Sequence, residues 1–336
     1  MPKPRPIITA WQTPGLILGL LGQLREQRHF LRRHLGPPLA RARQSADGSL
    51  EEADFRKIIH YYGLAVPAIL GEAFCALRGA PMTARERLAS TCQGAMTGLG
   101  DDFLDKKSLS AEALELLLAK PGSSAGEQLA QYLFQTAQAN VPDPVHSLAQ
   151  LNRVMAAQRE SQKQTDPHLG EPAIAAITWE KGGASVLYYR TAFAHPLADN
   201  EAALLAKLGG LMQLGNDLFD VFEDTQNGVN TLITSNKKVI DIRHLLLIEL
   251  ELAYEMAFLT NYPPASVRRF FALLSLGIFS RCLVCMDQWE RSAQTTNGVF
   301  LPHLYRRKAL ICDMEKPANL WRSVYHHVYS CYQTPG

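Results

Sequence analysis

Apolar residues recur at three- and four-residue spacing through most of the chain, and runs that alternate apolar with polar are few. That period gathers apolar side chains on one face of an α-helix, where a strand would need a period of two. The spacing predicts helices over 16–35, 51–78, 83–106, 110–119, 125–138, 145–161, 171–194, 200–225, 237–259, 264–292 and 317–331. Proline and glycine punctuate them at Gly79-Ala80-Pro81, Pro121-Gly122, Asp166-Pro167 and Pro263-Pro264, because proline lacks the helical N–H and glycine pays extra backbone entropy. None of these breaks has the length or composition of a flexible linker, and there is neither a strand-rich region nor an internal repeat. The pattern predicts an all-α, single-domain helical bundle over 46–336, preceded by an N-terminal extension over 1–45. Residues 292–316, which run through Thr295, Thr296, Asn297 and Gly298 to Pro302 and the basic Arg306-Arg307-Lys308, read as a loop or lid over the mouth of that bundle.

Composition narrows the possible partners. With 336 residues, 47% of them hydrophobic, the chain can bury a substantial core. A formal charge of +2, with no long Lys/Arg block, argues against nucleic acid. Six cysteines in a chain of this length, without a secretory signal, suggest a reducing cytoplasm and no disulfide framework. Cys282 and Cys285 form a C-x-x-C inside the apolar stretch Leu273 to Met286, with no second ligand pair nearby, so buried helical thiols are expected over a zinc or redox site. The apolar run Gly15 to Leu21 is too short to span a bilayer, and Arg25, Arg28, Arg32, Arg33, Arg41 and Arg43 follow it. A solvated basic helix face is the simpler reading; peripheral contact with an anionic membrane is the alternative.

Two acidic motifs carry the candidate chemistry. In Gly100-Asp101-Asp102-Phe103-Leu104-Asp105, helical spacing projects Asp101, Asp102 and Asp105 from one face, where like charges repel. A cation would relieve that repulsion; a solvated helix end would also tolerate it. In Gln213-Leu-Gly-Asn216-Asp217-Leu-Phe-Asp220-Val-Phe-Glu223-Asp224, the residues Asn216, Asp220 and Asp224 fall at i, i+4 and i+8 on a helix that is otherwise apolar around much of its girth. Buried carboxylates need partners, so either salt bridges or metal ions are expected there. Magnesium suits hard oxygen ligands and is usually held by one or two carboxylates plus substrate phosphate. Between the two motifs, Lys181-Gly182-Gly183-Ala184-Ser185 sets a cation beside paired glycines. The glycines permit either a helix break with close approach of a ligand or close packing of two helices. Arg190, nine residues on, would reach the same ligand as Lys181 only through a kink.

Asp101-Asp102-Phe-Leu-Asp105 resembles the DDxxD motif of class I isoprenoid synthases. Asp220-Val-Phe-Glu223-Asp224, with Gln213 and Asn216 before it, resembles the DxxED motif of squalene and phytoene synthases and is also similar to the metal triad of terpene cyclases. Phe219 stands where head-to-head synthases commonly carry arginine, and Asp220 and Asp224 stand where the cyclase triad usually has Ser or Thr and Glu. The resemblance covers roughly 90–235 in motif order and implies a class I bundle with a central apolar cavity. It also implies a cytoplasmic enzyme, possible as a homodimer, that ionises a linear prenyl diphosphate with two or three Mg2+ ions, Mn2+ being a substitute. The implied metal and catalytic ligands are Asp101, Asp102, Asp105, Asn216, Asp220 and Asp224, with Lys181, Arg190, Gln213, Gly182 and Gly183 at the substrate. A terpene cyclase is the leading expectation. A coupling enzyme, a helical nucleotide pyrophosphatase and a non-catalytic scaffold or lipid-binding protein are the alternatives.

Overall fold

A computed structural model describes residues 11–107 and 122–329, with only the backbone described over 100–107. Among the described residues every regular element is helical, as the period requires. The helices are α1 (Thr13–His34), α2 (Gly36–Ser45), α3 (Glu52–Arg78), α4 (Ala84–Lys107), α5 (Ala125–Asn140), α6 (Pro144–Ser161), α7 (Glu171–Arg190), α8 (Glu201–Gln226), α9 (Val239–Ala257), α10 (Pro264–Thr296), the short α11 (Arg307–Leu310) and α12 (Pro317–Tyr329). The helix expected over 110–119 lies outside the described residues.

Three local departures have local causes. α2 begins at Gly36-Pro37-Pro38, a sequence that reads as a break; proline is tolerated in a first turn because the N–H it lacks would have no helical acceptor there. α3 widens into π-turns at Lys57–Tyr62 and Val66–Gly71, the second holding Pro67, whose missing N–H and bulky ring a wider turn accommodates. α7 stops at Arg190, four residues before the expected end. The N–H groups of Thr191, Ala192 and Phe193 turn back to the carbonyls three residues before them, and the Thr191 hydroxyl donates to Tyr188 O.

The chain divides into two compact units. One comprises Leu16–Met155 with Tyr188–Pro196. Its core joins Leu31 of α1, Leu35 between the helices and Leu39 of α2 to Phe55 and Ile58 of α3, Leu99 of α4, and Leu129 and Leu133 of α5. Buried polar groups are paired across it. The Gln27 amide donates to Gly63 O at 3.0 Å and to the Thr91 hydroxyl at 2.9 Å. Arg78 grips both Glu86 oxygens at 2.5 and 2.7 Å, and the Glu86 carboxylate also accepts from Thr83 and from the Ala194 N–H. Burial works to raise the Glu86 pKa, but those hydrogen bonds together outweigh it and hold the carboxyl down to about 2.

The other unit comprises Met1–Gly15, Ala156–Leu187 and Leu197–Gly336. Its axis is α8, whose Leu204, Leu205, Leu208, Leu211, Leu214, Leu218 and Val221 are all buried. α9 and α10 pack on it. Trp289 of α10 stacks on Phe300 and donates its ring N–H to Leu310 O at 2.9 Å, pinning the segment that leads into α11. Arg243 of α9 reaches Asp287 and Glu290 of α10, and Asp287 is bonded in turn to His326 of α12 at 2.7 Å. The stretches Glu52–Arg78 and Pro264–Thr296 are long and apolar enough to cross a membrane by length and composition. Their apolar windows are 67% and 83% buried inside the protein, as core helices are.

Candidate functional site

The second acidic motif is placed by a contact between α7 and α8 that only glycine allows. A methyl group built on Gly182 would sit 2.0 Å from Gly209 O, and one on Gly209 would sit 2.2 Å from Gly182 O. The edge of the Trp179 ring meets Gly210, where an added Cβ would lie 2.0 Å from it, and Gly183 faces Ala206. As residue numbers climb along α7 the facing numbers on α8 fall, so the helices run antiparallel with their backbones in near contact. Of the two roles open to the paired glycines, the structure uses helix packing: α7 passes through 182–183 unbroken. The Lys207 ammonium lies 5.3 Å from the Trp179 ring and pairs with Glu249, closing the seam on that side.

Along the motif the two faces of α8 differ in burial. Asn216 is exposed and donates its amide to Asp220 Oδ2 at 2.7 Å, so the expected 216/220 neighbours do meet. Asp220 and Asp224 are half-buried. The most buried carboxylate of this motif is Asp217, only 5% exposed, which the four-residue stripe passes over. Gln213, expected at the substrate, spends its amide on Asp217 Oδ1 at 2.8 Å, while Asp217 Oδ2 is buried with no hydrogen-bond partner among the described residues. The buried stripe is thus 213, 217, 220 and 224, at spacings of four, three and four. The signal lay in the sequence as a second helical register beside the one chosen, but nothing local ranks the two.

Electrostatics follow from that burial. Desolvation pushes the Asp217 carboxyl up to about 6; the Gln213 hydrogen bond and the Lys181 charge pull against it, and Asp220 adds to it. Asp224 is pushed up to about 8, first by burial and then by the Asp217 and Asp220 charges, with Lys181 opposing. Among the described residues, Lys181 is the cation whose charge favours the ionised form of both carboxylates. Its carbonyl is held by the Ser185 hydroxyl at 2.8 Å, one turn on.

The remaining expected residues are distributed as follows. Asp101, Asp102 and Asp105 lie on the α4 backbone, and their side chains are outside the described residues. Arg190 is buried at the end of α7, where its guanidinium donates to the carbonyls of Phe193, His195 and Pro196. It closes the turn after the helix, and with α7 unbroken it sits two and a half turns beyond Lys181, on the opposite face. Phe219 packs on Val284, Cys285, Cys312 and Met314. Cys282 and Cys285 are both buried helical thiols.

Among the described residues no three His, Cys, Asp or Glu side chains form a ready-made metal centre. The α8 row nonetheless offers hard oxygens, one of them an orphaned buried carboxylate oxygen, in a setting that disfavours their charge. Magnesium keeps several waters and needs only one or two protein carboxylates when a phosphate completes its shell, so an open row of this kind fits it. Cavities of ≈ 410 Å³ and ≈ 230 Å³ lie beside α2 and are lined by residues of α1, α2, α3 and α5. Compared with protein-family models, curated proteins and solved structures, the chain matches none of them.

Proposed function

We propose that the chain is a Mg2+-dependent class I terpene synthase that ionises a linear prenyl diphosphate and cyclises it in an apolar cavity of an isoprenoid-synthase-type bundle. The observation that carries this reading is the α8 carboxylate row: Asp217, buried with one oxygen unpartnered among the described residues, continues into Asp220 and Asp224, and the Lys181 charge acts on both Asp217 and Asp224. A purely structural row would be expected to close its ion pairs, because an unpaired buried carboxylate oxygen costs about 1–3 kcal/mol or more. Here the orphaned oxygen and the depressed acidity are what a bound cation would relieve.

In this reading Asn216, Asp220 and Asp224 hold metal, and Asp101, Asp102 and Asp105 of the DDxxD-like motif are the second proposed ligand set. When bound, Mg2+ supplies the positive charge that offsets the departing pyrophosphate as the allylic C–O bond breaks. Lys181 binds diphosphate oxygens. Gln213 fixes Asp217 by its 2.8 Å bond, so that the buried carboxylate keeps one orientation beneath the row. The apolar side chains of the bundle exclude water from the carbocation until it loses a proton.

The test is incubation of the purified chain with prenyl diphosphates of ten to thirty carbons, singly and in pairs, with Mg2+ or with EDTA. Pyrophosphate release is followed and the extracts go to mass spectrometry. Release that needs Mg2+ and falls roughly a hundredfold in a folded Asp220→Asn variant supports the proposal. A cyclic hydrocarbon supports the cyclase, and a joined product would replace it with a coupling enzyme. No release from any substrate, with circular dichroism showing a folded protein, overturns the enzyme reading.

A further inference from the structure

α1 carries a surface that the proposed chemistry does not use. Pro14, Leu18, Leu21, Arg25, Arg28 and Arg32 follow one another at spacings of three and four, so they form one stripe along the helix, and every one of them is exposed. The opposite face, with Gln27, Leu31 and the following Leu35, is buried. The stripe is divided along its length: its first half is apolar, with Leu18 and Leu21 70% and 57% exposed, and its second half is cationic. Trp11, 92% exposed, stands just before the helix. A merely solvated face would mix both charge signs and leave out exposed leucines.

The charges are unspent. Arg25, Arg28, Arg32 and Arg33 form no ion pair among the described residues, and the one acid of α1, Glu26, is turned to Arg87 at 3.1 Å. Four arginines against one glutamate, in a chain whose whole formal charge is +2, make a strongly local positive field. The stripe runs on to the ≈ 410 Å³ cavity beside α2, where Arg32 stands over apolar walls that include Leu39 and Ile59, while Arg43 on the same rim is paired with Glu52 at 2.8 Å. A guanidinium above an apolar floor, as Arg32 is, suits a phosphate headgroup with its acyl chains, and arginine pairs with phosphate through two parallel bonds.

We infer that the exposed stripe of α1 docks the protein on an anionic phospholipid surface, Leu18 and Leu21 entering the acyl boundary while Arg25, Arg28 and Arg32 engage headgroup phosphates. Apolar insertion and basic attraction are the two signals whose combination makes peripheral binding stable. The inference does not depend on the proposed reaction; it would bring the chain to the layer in which long prenyl chains partition.

The experiment is co-sedimentation of the full chain with vesicles of phosphatidylcholine alone or with about a third phosphatidylglycerol, across a salt series. The expected result is at least roughly tenfold stronger binding to the anionic vesicles, weakening as salt rises. Charge reversal at Arg25, Arg28 and Arg32 abolishes it, and the milder Arg28→Gln/Arg32→Gln pair reduces it roughly tenfold or more. Leu18→Ser with Leu21→Ser removes the binding that survives high salt. Equal binding to neutral and anionic vesicles, no binding to either, or binding unchanged in the arginine variants overturns the inference. A dimer in gel filtration that the leucine variant dissociates, with no vesicle binding by the wild type, assigns the stripe to a second copy of the chain instead.

Discussion

Replacing Gly182 by alanine tests the α7–α8 crossing directly. The added methyl would lie 2.0 Å from Gly209 O and 2.8 Å from Gln213 Cβ, whereas real Cβ contacts essentially never fall under 3.0 Å. The nearest atom is backbone, so no side-chain rotation relieves the clash, and the helices must part by about 1 Å, the difference between 3.0 and 2.0 Å. Opening a packed seam by that much forfeits a quarter to a half of its dispersion contacts, and overpacking of this kind typically costs about 1–3 kcal/mol or more. Alanine returns about 1 kcal/mol of helix propensity. With the steric cost at the upper end, the net loss is about 2 kcal/mol, a fall of roughly 4–8 °C in Tm. Gly209→Ala meets the same obstacle from the other side, 2.2 Å from Gly182 O, and should cost a similar amount. Because both methyls demand the same separation, the double variant should cost clearly less than the sum. Gly19→Ala is the control: it lies in α1 with nothing within 4 Å of its added methyl, so only the propensity gain of about 1 kcal/mol should remain. The assay is thermal and urea unfolding of the four variants beside wild type. A Gly182→Ala protein as stable as wild type, or one shifted in the same direction as Gly19→Ala, would refute the close crossing and the placement of the carboxylate row that follows from it.

Two further predictions concern pH. Asp217 has a folded-state pKa raised from 3.8 to about 6, so the folded protein holds a proton that the unfolded chain has released; its contribution is present below pH 3.8 and is lost as pH rises through about 6, a change of about 3 kcal/mol. In Asp217→Asn the stability difference between pH 4 and pH 8 should shrink by about that amount, and urea melts giving the same difference as wild type would contradict the burial argument. Glu86 runs the other way: its pKa is lowered from 4.5 to about 2, so about 3 kcal/mol is present above pH 4.5 and is lost as pH falls toward 2. Glu86→Gln should lose stability at pH 7 and converge on wild type in acid unfolding near pH 2; a constant gap across that range would show that Arg78 does not hold the carboxylate in its charged form.

What the sequence determined by itself is what depends on neighbours along the chain. The 3.6-residue period located α3, α4 and α8 to α10 within a few residues, because a helix that must bury one face writes that face into its own spacing. The carboxylates of α8 were visible for the same reason, as was the burial of Cys282 and Cys285 in an apolar run. α2 escaped because Gly36-Pro37-Pro38 is compatible both with a break and with a helix start. Tertiary structure decided what periodicity leaves degenerate. Asn216, Asp220, Asp224 and Gln213, Asp217, Asp220, Asp224 are both legal helical stripes, and only the packing of other helices on α8 makes Asp217 the buried one. The Gly182-Gly183 pair suits a break or a crossing equally until Gly209 and Gly210 stand opposite. Arg190 could serve a ligand or a turn, and the carbonyls that claim it belong to a loop whose path nothing on α7 dictates. In each case the deciding contact comes from a segment distant in sequence, and a local pattern carries no information about which distant surface will cover it.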